Sequence, residues 1–420
     1  MNHRFLAGCT ALVSSLALAG CGLLPGNSSG TKTVTVWLMK DSATDEFIAR
    51  FKKAYEQEHG DITLDIRIQE WAGIGGKVTA ALKSKDGKGV PDVIEVGNTQ
   101  VAQYADSGGL RDLTLESLRD LDSKDWIAGL ADPGSIDGSQ FGIPWYAANR
   151  VVIYDKQLFA DAGIKHPPKT RAEWLQDTAK LNTGGRQGIY LAGQDWYTLA
   201  GFIWEEGGEL AEGSGGNWAG ALNSPAALRG MEFYKQLQQL GRGPKSADEA
   251  HPFQYKVFAN GNVAQLIATP GTVKSIEQLN PEMKGRLGYF PMPGKRAGKP
   301  GAVFTGGSDL VVPDKAPEAA AGVKVVEALA GEKWQTDLAR TMSYVPNKTT
   351  LARVIADDPG AAAMAAAAAR GRATPNSPKW AAVEADNPIK TYMTEVLIGA
   401  DPQKAARTAS ARITELLADF

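Results

Sequence analysis

The spacing of apolar positions changes period along the chain. Residues 34–39 (VTVWLM) and 62–68 (ITLDIRI) are rich in β-formers, and the second run alternates apolar and polar places. Between them Phe47, Ile48, Phe51, Ala54 and Tyr55 recur at the three-and-four spacing of one helix face, with Asp41-Ser42 ahead of it as an N-cap. Residues 74–82 suit a second helix. A third short strand spans 93–96, entered through Pro91-Asp92, and a third helix spans 100–106. Strands alternating with helices predict a parallel, right-handed α/β sheet. Ligands of such sheets sit beyond the carboxyl ends of the strands. Here those ends are Lys40-Asp41, Glu70-Trp71 and Gly97-Asn98-Thr99.

The stretch 142–155 (GIPWYAANRVVIYD) breaks this rhythm. Pro144 fixes φ and cannot donate a backbone hydrogen bond. Trp145 and Tyr146 follow beside small residues, and 151–154 is again β-rich. The pattern predicts a crossover that leaves one domain, passes a cleft and enters another. Residues 303–312 (VFTGGSDLVV), an apolar run interrupted by Gly306-Gly307, predict the return crossing. Between the crossings, helices are expected over 155–162, 172–181 (capped by Thr170), 225–240 and 255–260. Strands are expected over 187–191, 262–268 and 286–290, with a Gly-rich loop over 206–221. Helices over 316–329, 333–341, 360–370, 389–398 and 402–420 complete the chain. No internal repeat of fixed period is visible.

At 420 residues the chain exceeds one typical core, so two domains are expected. The net charge of -2 gives no basic footprint for nucleic acid. The N-terminus reads as a targeting segment: Arg4, a short apolar region over 11–19, then Leu18-Ala19-Gly20-Cys21, which looks like a bacterial lipobox. Cleavage before Cys21 and its acylation are expected, leaving residues 21–32 as a tether. Cys9 lies in the signal. Past residue 21 there is then no thiol for a disulfide, nucleophile or metal site. No other stretch is long and apolar enough to span a bilayer.

Catalytic motifs are sparse. Gly26-Asn27-Ser28-Ser29-Gly30 has the letters of a nucleophile elbow but lies in the tether, without the strand and helix the elbow needs. The four His (His3, His59, His166, His251) are scattered singly, and no metal or cofactor is expected. The informative signal is aromatic placement. Trp37, Trp71, Trp145, Tyr146, Trp196, Trp204 and Trp380 mostly stand at strand ends or loops beside Gly, Pro, Asp and Asn. A sugar has an apolar C–H face that a ring can cover and a rim of hydroxyls that Asp41, Asn98, Asp195 or Arg150 can pair. For any single Trp, packing in the core explains the residue as well.

Taken in order, several segments resemble the extracellular solute-binding proteins of ABC sugar importers, the class similar to maltose-binding protein. They are the lipobox, the opening VTVWLMKDSATDEFIARFKKAYEQ, PDVIE, the crossover GIPWYAANRVVIYDKQLFADAG, FTGGSDLVVP, SYVPNKTTL and the tail from TPNSPKW. PDVIEVGNTQ and GQDWYTLAGFIW look similar to the actinobacterial binders of chitobiose and N-acetylglucosamine. The resemblance implies two α/β lobes, 33–143 with 309–352 and 144–305 with 356–420, closing on a mono- or oligosaccharide. It implies a monomer on a lipid anchor at the outer face of the cell membrane, partnered by permease subunits. Ligand contacts would then fall at Trp37, Asp41, Glu70, Asn98, Thr99, Trp145, Tyr146, Asp195, Trp196, Gly271, Gly306, Gly307 and Trp380. Many relatives carry a stacking Trp after the glycine of Pro270-Gly271-Thr272. This chain has Thr272-Val273 instead, so Trp196 or Trp380 is expected to take that role. A glycan-acting enzyme and a cell-surface interaction lipoprotein are the alternatives from other classes.

Overall fold

A computed structural model of the chain describes residues 31–418, apart from 72 and 215. The signal segment, Cys21 and the tether as far as residue 30 lie outside the described residues. Strand β1 (Lys32–Met39), helix α1 (Asp45–Glu58), β2 (Ile62–Gln69), α2 (Ile74–Leu82) and β3 (Val93–Gly97) follow the expected alternation. β1 pairs parallel with β2, from Lys32↔Ile62 to Met39↔Gln69, and parallel with β3 on its other side. α1 buries Phe47, Phe51 and Tyr55, one face at four-residue spacing. Each of these rings contributes roughly 1.5–3 kcal/mol by leaving water. The cap differs from the expectation. Thr44 caps α1, accepting from the Phe47 N–H at 3.2 Å. Asp41 lies in the left-handed region (φ 64°) and the Ser42 hydroxyl is bound to Glu95.

The crossover switches sheets at one residue. β4 (Ile143–Asn149) belongs to the large sheet and β5 (Val151–Asp155) to a second one, with Arg150 between them. β5 is the middle strand of three, flanked by β6 (Gln265–Ala268) and β7 (Leu287–Phe290). The chain returns as β8 (Val303–Val311), which pairs antiparallel with both β4 and β3. With β9 (Val345–Pro346) at one edge, the large sheet runs β9-β4-β8-β3-β1-β2, and Gly371–Arg372 pairs with β8. The expectation of a parallel sheet holds for β1 to β3. The crossing strands are antiparallel because β8 retraces the path of β4. The large sheet therefore takes in 143–149 and 303–308, residues that the expected division gave mostly to the second lobe. A bulge shifts the β4–β8 register, from Ser308↔Tyr146 to Asp309↔Pro144. It falls beside Pro144, which has no N–H to offer the ladder.

Two other expectations fail locally. Residues 187–191 form only single bridges, Gln187↔Val263 and Tyr190↔Leu266. The 206–221 loop contains a hairpin, Ala211–Ser214 with Asn217–Gly220, held to the last helix by Gly220 N–H donating to Thr414 Oγ1 at 2.9 Å. Its glycines carry no alternation pattern, so only that contact reveals it.

Candidate functional site

The strand ends converge where β4 and β8 cross. A cavity of about 570 Å³ opens there. Its floor is Tyr146 and Ala148 of β4 with Gly306, Gly307 and Ser308 of β8. Asp41 and Trp71 come from the exits of β1 and β2. Thr269 to Gly271, Lys274 and Ser275 come from the exit of β6 and the helix α3 (Thr272–Leu279) that follows it. Ser343 and Tyr344 close a further side. A second cavity, about 320 Å³, is lined by Trp71 together with Glu95, Gly97, Thr99, Gln100 and Tyr104. Trp71 lines both and is itself 44% exposed.

Aromatic surfaces and polar groups are interleaved here. Tyr146 and Tyr344 stack with centroids 4.2 Å apart and planes 9° from parallel. Tyr344 donates its hydroxyl to the Asp41 carbonyl at 3.1 Å, which ties the β1 exit loop to that stack. Below the floor, Glu95 of β3 is fully buried. Its Oε2 accepts from the Met39 N–H at 2.6 Å, and its Oε1 accepts from Ser42 Oγ at 2.6 Å and Tyr146 OH at 3.3 Å. Burial pushes the Glu95 carboxyl up to about 7, while these donors pull it down. Burial, then the nearby Glu95, push the Tyr146 phenol well above its usual value.

Of the residues expected from sequence, the structure brings Asp41, Tyr146, Gly271, Gly306 and Gly307 to the first cavity and Thr99 to the second. The others lie outside these two cavities. Trp37 is buried in the core beneath β1, with Lys77 Nζ 4.5 Å from its ring centroid. Glu70 is an exposed partner of Lys40 at 2.9 Å and lines neither cavity. Asn98 is buried and donates to the Thr305 carbonyl at 3.1 Å, fastening β3 to β8. Trp145 is fully buried in the core of the large sheet.

On the second lobe, Asp195 caps the helix α4 (Trp196–Glu205), accepting from the Thr198 N–H and hydroxyl at 3.2 and 2.6 Å. It also faces Arg150 at 3.7 Å. Trp196 is buried in the core against Tyr197, with centroids 4.1 Å apart. Trp380, at the start of the helix α5 (Trp380–Asp386), is buried and donates Nε1–H to Glu384 Oε1 at 3.1 Å. Trp196 and Trp380 are therefore not the cavity's stacking surfaces; Trp71 and the Tyr146–Tyr344 pair stand there. The sequence places Trp71 among the candidate aromatics and at the Glu70-Trp71 strand end, though not in the set of expected ligand contacts. Ser343 and Tyr344 open the segment SYVPNKTTL without standing among the expected contacts, and no local pattern marks Lys274.

The family described as bacterial extracellular solute-binding protein matches residues 40–336, and this chain belongs to it. The chain is 37% identical over 431 residues to the diacetylchitobiose-binding protein DasA of Streptomyces coelicolor, covering all of this chain and 99% of that one. It is 26% identical to a maltooligosaccharide ABC transporter solute-binding lipoprotein of Streptococcus pneumoniae, over 83% of this chain and 82% of the relative. Among solved structures, the sugar-binding protein MalE of Xanthomonas citri superposes with a TM-score of 0.82 at 25% identity, covering 92% of this chain and 97% of that one. The architecture is the two-lobed one of these proteins.

Proposed function

We propose that the chain captures an oligosaccharide in the cleft at its crossing strands and hands it to the permease of an ABC importer. The observation that carries this reading is the cavity of about 570 Å³ in which Trp71 and the stacked Tyr146–Tyr344 pair stand beside Asp41, Ser308 and Lys274. Its size falls in the range of small-molecule sites. Rings cover the apolar face of a sugar, and the polar groups pair its hydroxyls. The adjoining cavity across Trp71 favours two or more sugar units. N,N′-diacetylchitobiose is the first candidate, on the strength of the 37% identical relative's name. Membership of a solute-binding family supports capture without turnover.

The two lobes, built on the large sheet and the three-stranded sheet, move about β4, β5 and β8. Closure over the ligand is a hinge motion that excludes water. Calorimetry with diacetylchitobiose and a series of maltooligosaccharides tests the reading, and no heat with any of them would end it. Trp71→Ala should weaken binding by about 2 kcal/mol, roughly thirtyfold, since it deletes the most exposed stacking ring at the site. Unchanged affinity would remove Trp71 from the ligand surface. We also propose that Cys21 carries the lipid anchor, from the Leu18-Ala19-Gly20-Cys21 motif. Cys21→Ala should release the protein into the medium; retention on membranes would contradict the anchor. Among the described residues no helix is long and apolar enough to cross a membrane.

A further inference from the structure

The hydrogen bonds of Glu95 gather groups from several elements under the floor of the cleft. Its two oxygens take three donors: the Met39 N–H at the end of β1, the Ser42 hydroxyl in the β1 exit loop and the Tyr146 hydroxyl of β4. The hydroxyls continue the network. Ser42 Oγ lies 3.0 Å from Tyr146 OH, and Ser308 Oγ of β8 donates to Tyr146 OH at 3.1 Å. Each of these elements also supplies the cavity, through Asp41, Tyr146 and Ser308. We infer that Glu95 is a positioning residue for ligand binding: its ionised carboxylate fixes the Asp41 loop and the Tyr146 ring, and its protonation loosens both. The inference rests on the proposed reading of the cleft as the binding site.

The reason lies in donor and acceptor counting. An ionised carboxylate is acceptor-only and satisfies all three donors at once, with charge-assisted bonds. A protonated one must donate its own hydrogen. Here the acceptors within reach are the Ser42 and Tyr146 oxygens, so one of their hydroxyls has to turn away. The Ser42–Tyr146–Ser308 chain then has to reorient, and neutral hydrogen bonds replace the stronger charge-assisted ones that hold Tyr146 and the exit loop. Burial of the carboxyl places this change within reach of ordinary solution, with a midpoint pushed up to about 7.

The titratable groups near Glu95 are Tyr146 of β4, Tyr344 stacked on it, and Tyr104, which lines the second cavity with Glu95. Lys77 of α2 is engaged with Gln69 and the Trp37 ring. Among the described residues, no Lys, Arg or His forms an ion pair with Glu95.

The test uses the purified protein, diacetylchitobiose or whichever sugar of the calorimetric series binds, and the variants Glu95→Gln and Glu95→Ala. Affinity is measured from about pH 5.5 to about pH 8.5. The amide signal of Met39 is followed by NMR over the same range without ligand, since its N–H donates to Glu95. In the wild type, affinity should rise roughly fivefold with pH, in step with a Met39 shift centred near 7. Both changes should be absent in Glu95→Gln, which keeps one acceptor oxygen and cannot titrate. Glu95→Ala should bind at least tenfold more weakly while retaining its circular dichroism, with Glu95→Gln nearer to wild type. Wild-type affinity that is flat with pH, or a Glu95→Gln profile that still follows the wild type, overturns this inference alone. No sugar binding by the wild type at any pH overturns the reading of the cleft and this inference with it.

Discussion

Gly307→Ala is expected to lower the stability of the protein by about 3 kcal/mol. Two costs combine. Gly307 adopts φ 152°, a backbone region that side chains rarely enter, and holding alanine there costs about 1–2 kcal/mol. A methyl group at 307 would also collide with the Tyr146 carbonyl of β4, with the Leu130 side chain 2.9 Å away. The collision is with paired backbone, so strand β4 or β8 must shift, and overpacking of this kind costs about 1–3 kcal/mol. Gly306→Ala is the internal control. A methyl there meets the Phe304 ring at 3.2 Å and the Ala148 carbonyl at 3.3 Å, and its φ is ordinary. It should cost less than half as much. Denaturant unfolding of the two variants checks this; equal midpoints would show that the β4–β8 contact yields more easily than its geometry implies.

Arg150→Ala is expected to be nearly as costly, and its cost should depend on pH. Arg150 is the single residue between β4 and β5, where the chain first passes from one sheet to the other. Its guanidinium donates to Glu249 Oε1 at 2.7 Å, approaches Asp195 at 3.7 Å and lies 4.8 Å from the Tyr197 ring centroid. Removing it leaves Asp195 buried without a counter-charge, a loss of about 3 kcal/mol. Burial already pushes the Asp195 carboxyl up to about 6, with Arg150 pulling it down and Glu249 pushing it up. Without Arg150 it rises further. A carboxyl whose folded value exceeds its unfolded value contributes stability fully below the unfolded value, here 3.8, and loses it as pH rises through the folded one. The deficit of Arg150→Ala should therefore be larger at about pH 8 than at about pH 5. Equal deficits at both would mean that Asp195 is not what Arg150 compensates.

Periodicity alone located most of the elements. The alternation at 62–68 and the four-residue spacing of Phe47, Phe51 and Tyr55 reappear as β2 and the buried face of α1. Thr170 caps its helix as expected, accepting from the Glu173 N–H. These features depend on neighbours within one turn or one strand, so a linear reading reaches them. The Gly-rich hairpin was missed because its partner surface is the last helix, nearly two hundred residues away in sequence. The cap of α1 was misplaced because Ser42 spends its hydroxyl on Glu95, which is distant in sequence.

The candidate site divides in the same way. Asp41, Thr99, Gly306 and Gly307 were reachable because strand ends and broken apolar runs are written locally. Tryptophan was the least legible residue. A ring beside Gly, Pro or Asp satisfies the sequence pattern of a binding surface whether it faces solvent or the core. Trp145, Trp196 and Trp380 turned inward, while Trp71 stayed open.

The sequence by itself determined the alternation of strands and helices, the two crossings and the family, since each rests on local pattern or on ordered motifs. Tertiary structure decided which rings line the cleft and that Glu95 lies under its floor. Those outcomes depend on side-chain direction at a crossing of strands β4 and β8, where residues more than 150 positions apart are paired. A bulge beside Pro144 reshapes that crossing, and no linear reading of the segment 142–155 contains the partner strand that produces it.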